Sequence, residues 1–270
     1  MKKIEGYQFH YYLNGSKKQP VILFLHGFMG NIQEFNAVIT SLSESFCCLA
    51  VDLPGHGKTQ VIGGENWYTM PNTAQALIAL LNNLEIDKCF LFGYSMGGRL
   101  ALYMSLYFPC RFYKVALESA SPGLKNKQER NLRRQADLQL AQKLEKSNFK
   151  DFLLNWYSQP LFKSLKNYPN FDQLIEHRLQ NNPIELAKSL RNMGIGNQPS
   201  LWQQLEKKKI SLLLLVGEYD DKFLAINREI TSLCPQSKLE VIPQTGHNIH
   251  LENINNLVAV VKKFYCTAET

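Results

Sequence analysis

The sequence predicts an α/β fold: a mostly parallel central sheet flanked by helices, with an inserted helical cap. Three observations carry that expectation. Short apolar runs bounded by turn residues, Val21 to Leu25, Phe46 to Val51, Cys89 to Phe92 and Ile210 to Val216, alternate with stretches of helical periodicity. Such runs mark strands buried on both faces of a parallel sheet. The segment from Lys125 to about Gln198 carries helical patterns only. Gly93-Tyr94-Ser95-Met96-Gly97 joins an apolar run to an Ala/Leu-rich helical pattern, the strand–turn–helix setting of a G-x-S-x-G nucleophile turn. A chain of 270 residues suits one large domain with an insertion. Residues 1–122 and 200–270 are expected to form the core and 123–199 the lid.

In chain order, Tyr7 to Leu13 reads as an opening strand closed by the Asn14-Gly15 turn,. The buried strand Val21–Leu25 ends in His26-Gly-Phe-Met-Gly30, a Gly-punctuated loop before a helical pattern from Gln33 to Leu42. Strand Phe46–Val51 leads into Asp52-Leu-Pro-Gly-His-Gly57, read as a structural loop although it holds both a His and an Asp. A helix from Asn72 to Leu84 precedes the serine turn, whose own helix runs to Tyr107 and stops at Pro109,. Val115 to Glu118 is a short strand, and after Ser121-Pro-Gly123 the composition changes. Pro160, Pro169 and Pro183 break the segment that follows into several short helices,. Ile210–Val216 restores the sheet and ends in the polar loop Gly217 to Phe223. A helix from Leu224 to Leu233, a strand from Leu239 to Ile242, the loop Gln244 to His250 and a closing helix to Tyr265 complete the chain.

Composition narrows the function classes. Hydrophobic residues make up 45% of the chain, enough for a sizeable core,. The formal net charge of +7 invites an anionic partner, but the lysines are scattered as Lys2-Lys3, Lys17-Lys18, Lys207 to Lys209 and Lys262-Lys263. No nucleic-acid module accompanies them, so nucleic-acid binding is not expected. The six cysteines show no C-x-x-C spacing and mostly sit in apolar runs, as in a reducing compartment. The N-terminus lacks an apolar signal core, and no apolar stretch approaches a membrane span,. A cytoplasmic location without membrane insertion is expected, and oligomeric state is not legible.

The chemistry starts from Ser95. A serine needs a base, and the base needs an acid that fixes its tautomer. Chain order Ser, Asp, His points to Asp220 as the acid, with Asp221 as the alternative, and to His247 as the base,. His250 competes but lies on the helix approach, where packing or capping is the plainer reading. The other histidines precede the acid. The N–H groups of Phe28 and Met96 are placed for an oxyanion hole. Arg99, four residues beyond Ser95, should lie one helical turn below the same pocket. A cation in the first turn of a helix opposes the macrodipole, a cost that an anionic ligand offsets. The plainer reading is an arginine satisfied by nearby carbonyls. Arg130, Arg133, Arg134 and Arg178 in the lid each read singly as solvated helix face. With Arg99 they suggest a pocket for a ligand with several carboxylates. No metal or organic cofactor has a motif here.

The chain resembles the α/β-hydrolase superfamily along nearly its whole length. Within it the chain is similar to the 2-succinyl-6-hydroxy-2,4-cyclohexadiene-1-carboxylate synthases of menaquinone and phylloquinone biosynthesis. The matching pieces are Leu25-His-Gly-Phe28, Asp52-Leu-Pro-Gly-His-Gly57, Gly93-Tyr-Ser-Met-Gly-Gly-Arg99 and Ser121-Pro-Gly-Leu124. They continue with Arg133-Arg-Gln-Ala-Asp137, Asn155-Trp-Tyr-Ser-Gln-Pro-Leu-Phe162, Arg178 before Gln180-Asn-Asn182, Gly217-Glu to Lys222-Phe223, and Gly246-His-Asn248. The resemblance implies elimination of pyruvate from a tricarboxylic enolpyruvyl cyclohexene, with Ser95 as a triad-activated base. Arg99, Arg133 and Arg178 would hold carboxylates, and Tyr94 and Trp156 would shape the pocket. Tyr219 and Ile254 depart from the family pattern without touching a catalytic role. Two other readings stay open: a serine hydrolase of esters or carbon–carbon bonds through an acyl-enzyme, and a non-catalytic ligand-binding protein on the same fold.

Overall fold

The computed structural model describes residues 1–207 and 211–267. The strands are β1 (Lys2–Ile4), β2 (Tyr7–Phe9), β3 (Tyr11–Asn14), β4 (Val21–Leu25), β5 (Cys47–Val51), β6 (Gln60–Val61), β7 (Cys89–Tyr94), β8 (Phe112–Glu118), β9 (Leu212–Gly217) and β10 (Ser237–Ile242). The helices are α1 (Asn36–Leu42), α2 (Met70–Asn83), α3 (Met96–Tyr107), α4 (Lys127–Lys146), α5 (Phe149–Tyr157), α6 (Phe171–Leu179), α7 (Pro183–Met193), α8 (Trp202–Lys207), α9 (Asp221–Leu233), α10 (Ile249–Glu252) and α11 (Ile254–Cys266). The main sheet runs β10-β9-β8-β7-β4-β5-β3. All its pairings are parallel except that of β3 with β5. This is the expected mostly parallel sheet flanked by helices.

Alternation along the buried strands builds a core on each face of the sheet. On β4, Leu23 and Leu25 join the cluster holding α2, α3 and Ile230 of α9, whereas Ile22 and Phe24 join the cluster holding α1 and α11. β7 does the same with Leu91 against Phe90 and Phe92. A period of two on strands buried on both faces produces this division.

Three local readings are revised. The single strand expected from Tyr7 to Leu13 divides at His10: β2 belongs to a small antiparallel sheet with β1 and β6, and β3 to the edge of the main one. The His10 amide donates to Thr59 Oγ1 at 2.9 Å, and its ring meets Asp52 Oδ2 at 2.7 Å, so its N–H is withdrawn from both ladders while its carbonyl accepts the Asp52 amide at 3.0 Å. The helix expected from Gln33 begins as a 3-10 turn, Ile32–Phe35, capped by Asn31, before α1. The closing helix is two helices, α10 and α11, meeting at Asn253, whose side chain caps the second. The expected strand start at Ile210 lies outside the described residues.

Helices α4 to α7 follow β8 and precede α8 and β9. They pack on one another through an apolar cluster including Ala141, Leu144, Phe152, Leu153, Leu186 and Leu190, which Met29 of the loop after β4 also enters. Amphipathic helices of this length need such a partner surface.

Candidate active site

Ser95 sits between the end of β7 and the start of α3 with φ 49 and ψ −107, a strained conformation that surrounding structure must hold. The glycines around it allow the turn to close. A Cβ on Gly97 would collide with Leu25 O, and one on Gly93 would stand 2.5 Å from Gly97 O. The Ser95 amide donates to Glu118 O at 2.8 Å, pinning the turn to the neighbouring strand.

Two further strand ends supply the rest. Asp220 follows β9 and caps α9 through Oδ1, which accepts the Phe223 amide at 3.4 Å. Its Oδ2 lies 2.7 Å from His247 Nδ1, and His247 Nε2 lies 3.0 Å from Ser95 Oγ. With Nδ1 donating to the carboxylate, Nε2 presents its lone pair to the serine hydroxyl. Asp220 and His247 are buried, whereas Asp221 is exposed at the first position of α9. The His247 loop is itself clamped: Glu252 accepts from the Gly246 amide at 3.0 Å and the Asn248 amide at 3.4 Å.

The triad opens on a cavity of about 270 Å³ lined by strand-end residues Phe28, Tyr94, Ser95 and His247 and by cap residues Arg133, Trp156, Phe162 and Arg178, with Arg99 between them. A larger cleft of about 1030 Å³, lined by Lys17, Lys18 and Lys88, contains no member of the triad. The Phe28 ring packs edge-on against Trp156 at 5.6 Å. Among the described residues the Phe28 and Met96 amides donate to no protein acceptor, which leaves both free to donate to a bound group. A Cβ on Gly27 would collide with the Tyr94 ring, so this glycine lets the loop after β4 approach the serine turn closely.

The three arginines are held differently. Arg99 Nη1 donates to Met193 O at 3.1 Å and Gln198 Oε1 at 2.8 Å, as the carbonyl reading expected, and among the described residues it forms no ion pair. Burial, and then Arg133 nearby, lowers its pKa to about 10,. Arg133 Nε donates to Asp137 Oδ1 at 2.7 Å, one turn along α4. Arg178 is buried, donates through Nε to the Tyr157 hydroxyl at 3.0 Å and pairs through Nη2 with Glu34. Burial opposes its charge, but Glu34 raises its pKa further. Arg178 thus reaches the cavity, yet the chain already supplies it with a carboxylate. Arg130 turns back to the carbonyls of Leu124 and Lys125, and Arg134 is exposed.

His250 is not the base. Its ring is buried between Glu118 and Glu34. The sequence reading missed these two acids because nothing in their local pattern separates them from surface carboxylates. It also gave no role to Glu252. Phe223, whose ring packs 4.7 Å from that of His247, was likewise given no role.

Among the described residues no helix is long and apolar enough to cross a membrane, and no group of three or more His, Cys, Asp and Glu is placed to hold a metal ion. A family model described as alpha/beta hydrolase fold matches residues 20–254. The chain is 33% identical to the 2-succinyl-6-hydroxy-2,4-cyclohexadiene-1-carboxylate synthase of Escherichia coli O1:K1 / APEC, over 91% of this chain and 94% of that protein. It is 32% identical to the synthase of the same name from Serratia proteamaculans (strain 568), over 93% and 94%. The solved structure of MenH from S. aureus covers 96% of this chain and 97% of its own, with a TM-score of 0.89 at 33% identity. The chain therefore belongs to the α/β hydrolase-fold family and, within it, to the 2-succinyl-6-hydroxy-2,4-cyclohexadiene-1-carboxylate synthases, a family of lyases.

Proposed function

We propose that this enzyme eliminates pyruvate from 2-succinyl-5-enolpyruvyl-6-hydroxy-3-cyclohexene-1-carboxylate to give 2-succinyl-6-hydroxy-2,4-cyclohexadiene-1-carboxylate, a step of menaquinone or phylloquinone biosynthesis. The names of substrate and product fix the bond changes. The proton on ring carbon 2, acidified by the succinyl ketone, leaves; its electron pair forms the 2,3 double bond. The 3,4 double bond moves to 4,5, and the carbon–oxygen bond at carbon 5 breaks with its pair going to the enolpyruvyl oxygen. The enolate takes up a proton and becomes pyruvate.

In this reading Ser95, its hydroxyl proton drawn by His247, takes the ring proton, and Asp220 steadies the imidazolium that forms. Negative charge develops on the succinyl carbonyl oxygen, where the Phe28 and Met96 amides receive it. The substrate's three carboxylates fall to Arg99, Arg133 and Arg178, while Tyr94 and Trp156 bound the ring. Residues 123–199 serve as the lid over this site. The observation that carries the reading is Arg99: a guanidinium on the cavity wall, within one helical turn of Ser95, whose partners are a carbonyl and an amide. A simple ester pocket would leave such a cation uncompensated.

The ligand is thus a small tricarboxylate and not a nucleic acid. The buried thiols of Cys47, Cys48 and Cys89 suit a reducing, cytoplasmic setting. The test is to offer the enolpyruvyl cyclohexene and follow pyruvate release beside hydrolysis of an aryl ester. Pyruvate release with slow ester turnover is expected. Brisk ester hydrolysis without pyruvate would replace the lyase by an acyl-enzyme hydrolase.

A further inference from the structure

Beneath the cavity, Arg178 is tied to a set of charges that the reaction does not use directly. His250 Nδ1 is 2.7 Å from Glu118 Oε1, and the His250 amide donates to the same oxygen at 3.1 Å. On the other side of the ring, Nε2 lies 3.4 Å from Glu34 Oε1. Glu34 in turn holds Arg178. The side chains of His250, Glu118, Glu34 and Arg178 are 0%, 0%, 1% and 3% exposed. The remaining neighbours are Tyr94, whose ring lies 4.4 Å from that of His250, the Phe35 ring at 5.4 Å, and Tyr157 and His26 around Arg178 and Glu34. His26 is no second cation here: it accepts the Leu53 amide through Nε2 and faces Gly27 O through Nδ1, and burial lowers its pKa.

We propose that His250 is held as an imidazolium between Glu118 and Glu34 and acts as a positioning residue, joining the serine turn to the cap arginine in one charge-balanced unit. Two arguments carry this. Both ring nitrogens face carboxylate oxygens, Nδ1 in a hydrogen bond to Glu118 and Nε2 within ion-pair distance of Glu34, and only the doubly protonated ring presents an N–H to each of the two acids. Two carboxylates and one guanidinium would otherwise leave a net negative charge in a dry interior, directly under a pocket meant for anions. The unit also touches each part of the machinery. Glu118 accepts the Ser95 amide through its backbone oxygen. His250 follows the His247 loop. Glu34 lies against the loop carrying Phe28, since a Cβ on Gly30 would collide with its Oε2. Burial works against the charge on His250, but Glu118 and then Glu34 outweigh it and raise its pKa to about 9.

The inference rests on Ser95 and His247 being the working pair of the proposed elimination, so its test has one arm without substrate. Nitrogen-15 NMR of wild-type enzyme at pH 7.5 is expected to show the imidazolium signature for His250; a neutral tautomer would overturn the proposal. Thermal stability should fall as pH rises from 6.5 through about 9, because the folded state keeps a proton that the unfolded chain releases near 6.5,. H250Q should lack that slope. With the tricarboxylate, H250Q is expected to raise KM about tenfold, through the uncancelled negative charge, and to lower kcat about tenfold by loosening the serine turn. E118Q/H250Q restores the charge balance, so its KM should return to within about twofold of wild type while kcat stays low. A merely structural His250 would give equal KM values in the two variants, or wild-type kinetics in whatever H250Q folds. Should H250Q not fold, the double variant and the NMR arm still decide. Absence of pyruvate release from wild type would sink the assigned reaction, with the NMR result unaffected.

Discussion

Along the strand-end wall of the cavity, Ser95, His247 and Asp220 satisfy one another at 3.0 and 2.7 Å, on loops fixed by the parallel sheet. Around the same cavity the cations are held in unequal ways. Arg178 has its countercharge inside the protein, in Glu34, which burial pushes toward protonation but Arg178 brings down to about 2. Arg99 has none within ion-pair distance among the described residues, and burial lowers its pKa to about 10. The difference teaches where each cost is met. The triad and Arg178 are balanced by the fold, whereas Arg99 bonds only neutral acceptors, which leaves its charge available to the proposed ligand.

Removing the Ser95 hydroxyl separates the triad from the cations most sharply. Ser95→Ala should lower kcat by about 10²–10⁴-fold, the usual worth of a positioned base, while product affinity and melting temperature stay near wild type. The backbone at position 95 is equally strained for either residue, and the arginines are untouched. Loss of ligand affinity in a calorimetric titration would mean that the strand-end wall also does the binding. Arg178→Gln should behave in the opposite manner. It leaves Glu34 buried beside His250 alone and should cost about 3–5 kcal/mol of stability, read as a lower denaturation midpoint. E34Q/R178Q should recover much of that stability and none of the binding. A single variant as stable as wild type would show that water already reaches Glu34.

How much of this was legible in the sequence follows from range. The serine turn could be read because its requirements are local: glycines two residues either side, an apolar strand before and a helix after. His247 and Asp220 could be read because the order of strands on a parallel sheet brings successive loops to one edge. Arg99 was placed by helical spacing alone. Glu34 was not legible: it is 144 residues from Arg178 and sits in a polar 3-10 turn that looks like surface. Glu118 ends an ordinary strand, and its partner His250 is 132 residues away. The division of the first strand at His10 depends likewise on Asp52 and Thr59, which no local alternation can announce. Pairing over such distances belongs to the fold, and the pattern of one element does not hold it.

Arg99→Ala sharpens the contrast with Arg178. Its guanidinium bonds only neutral acceptors, so stability should change by less than about 1 kcal/mol. The loss should fall on the ligand, at about 1.5–3 kcal/mol, or ten- to a hundredfold in kcat/KM for the tricarboxylate. Unchanged kinetics would remove Arg99 from the site.

Arg133 lies between the two cases, and its predicted effect is the smallest. Its side chain is 40% exposed while that of Asp137, its partner one turn on, is 5% exposed, so solvent screens the pair and its worth to the fold is about 0.5 kcal/mol. Asp137 also accepts the Gly196 amide at 3.3 Å, which keeps its carboxylate occupied when the arginine is gone. Arg133→Ala should therefore fold as wild type does and raise KM only several-fold, because an exposed cation is worth less to a ligand than a desolvated one. The informative measurement is the double-variant cycle with Arg99→Ala. Arg133 bears on Arg99 directly, as the charge that, after burial, lowers its pKa. If both grip one carboxylate, the double variant loses less than the two single losses together; independent carboxylates give additive losses. Additivity within about 0.3 kcal/mol would assign each arginine its own carboxylate and leave Arg178 to the third.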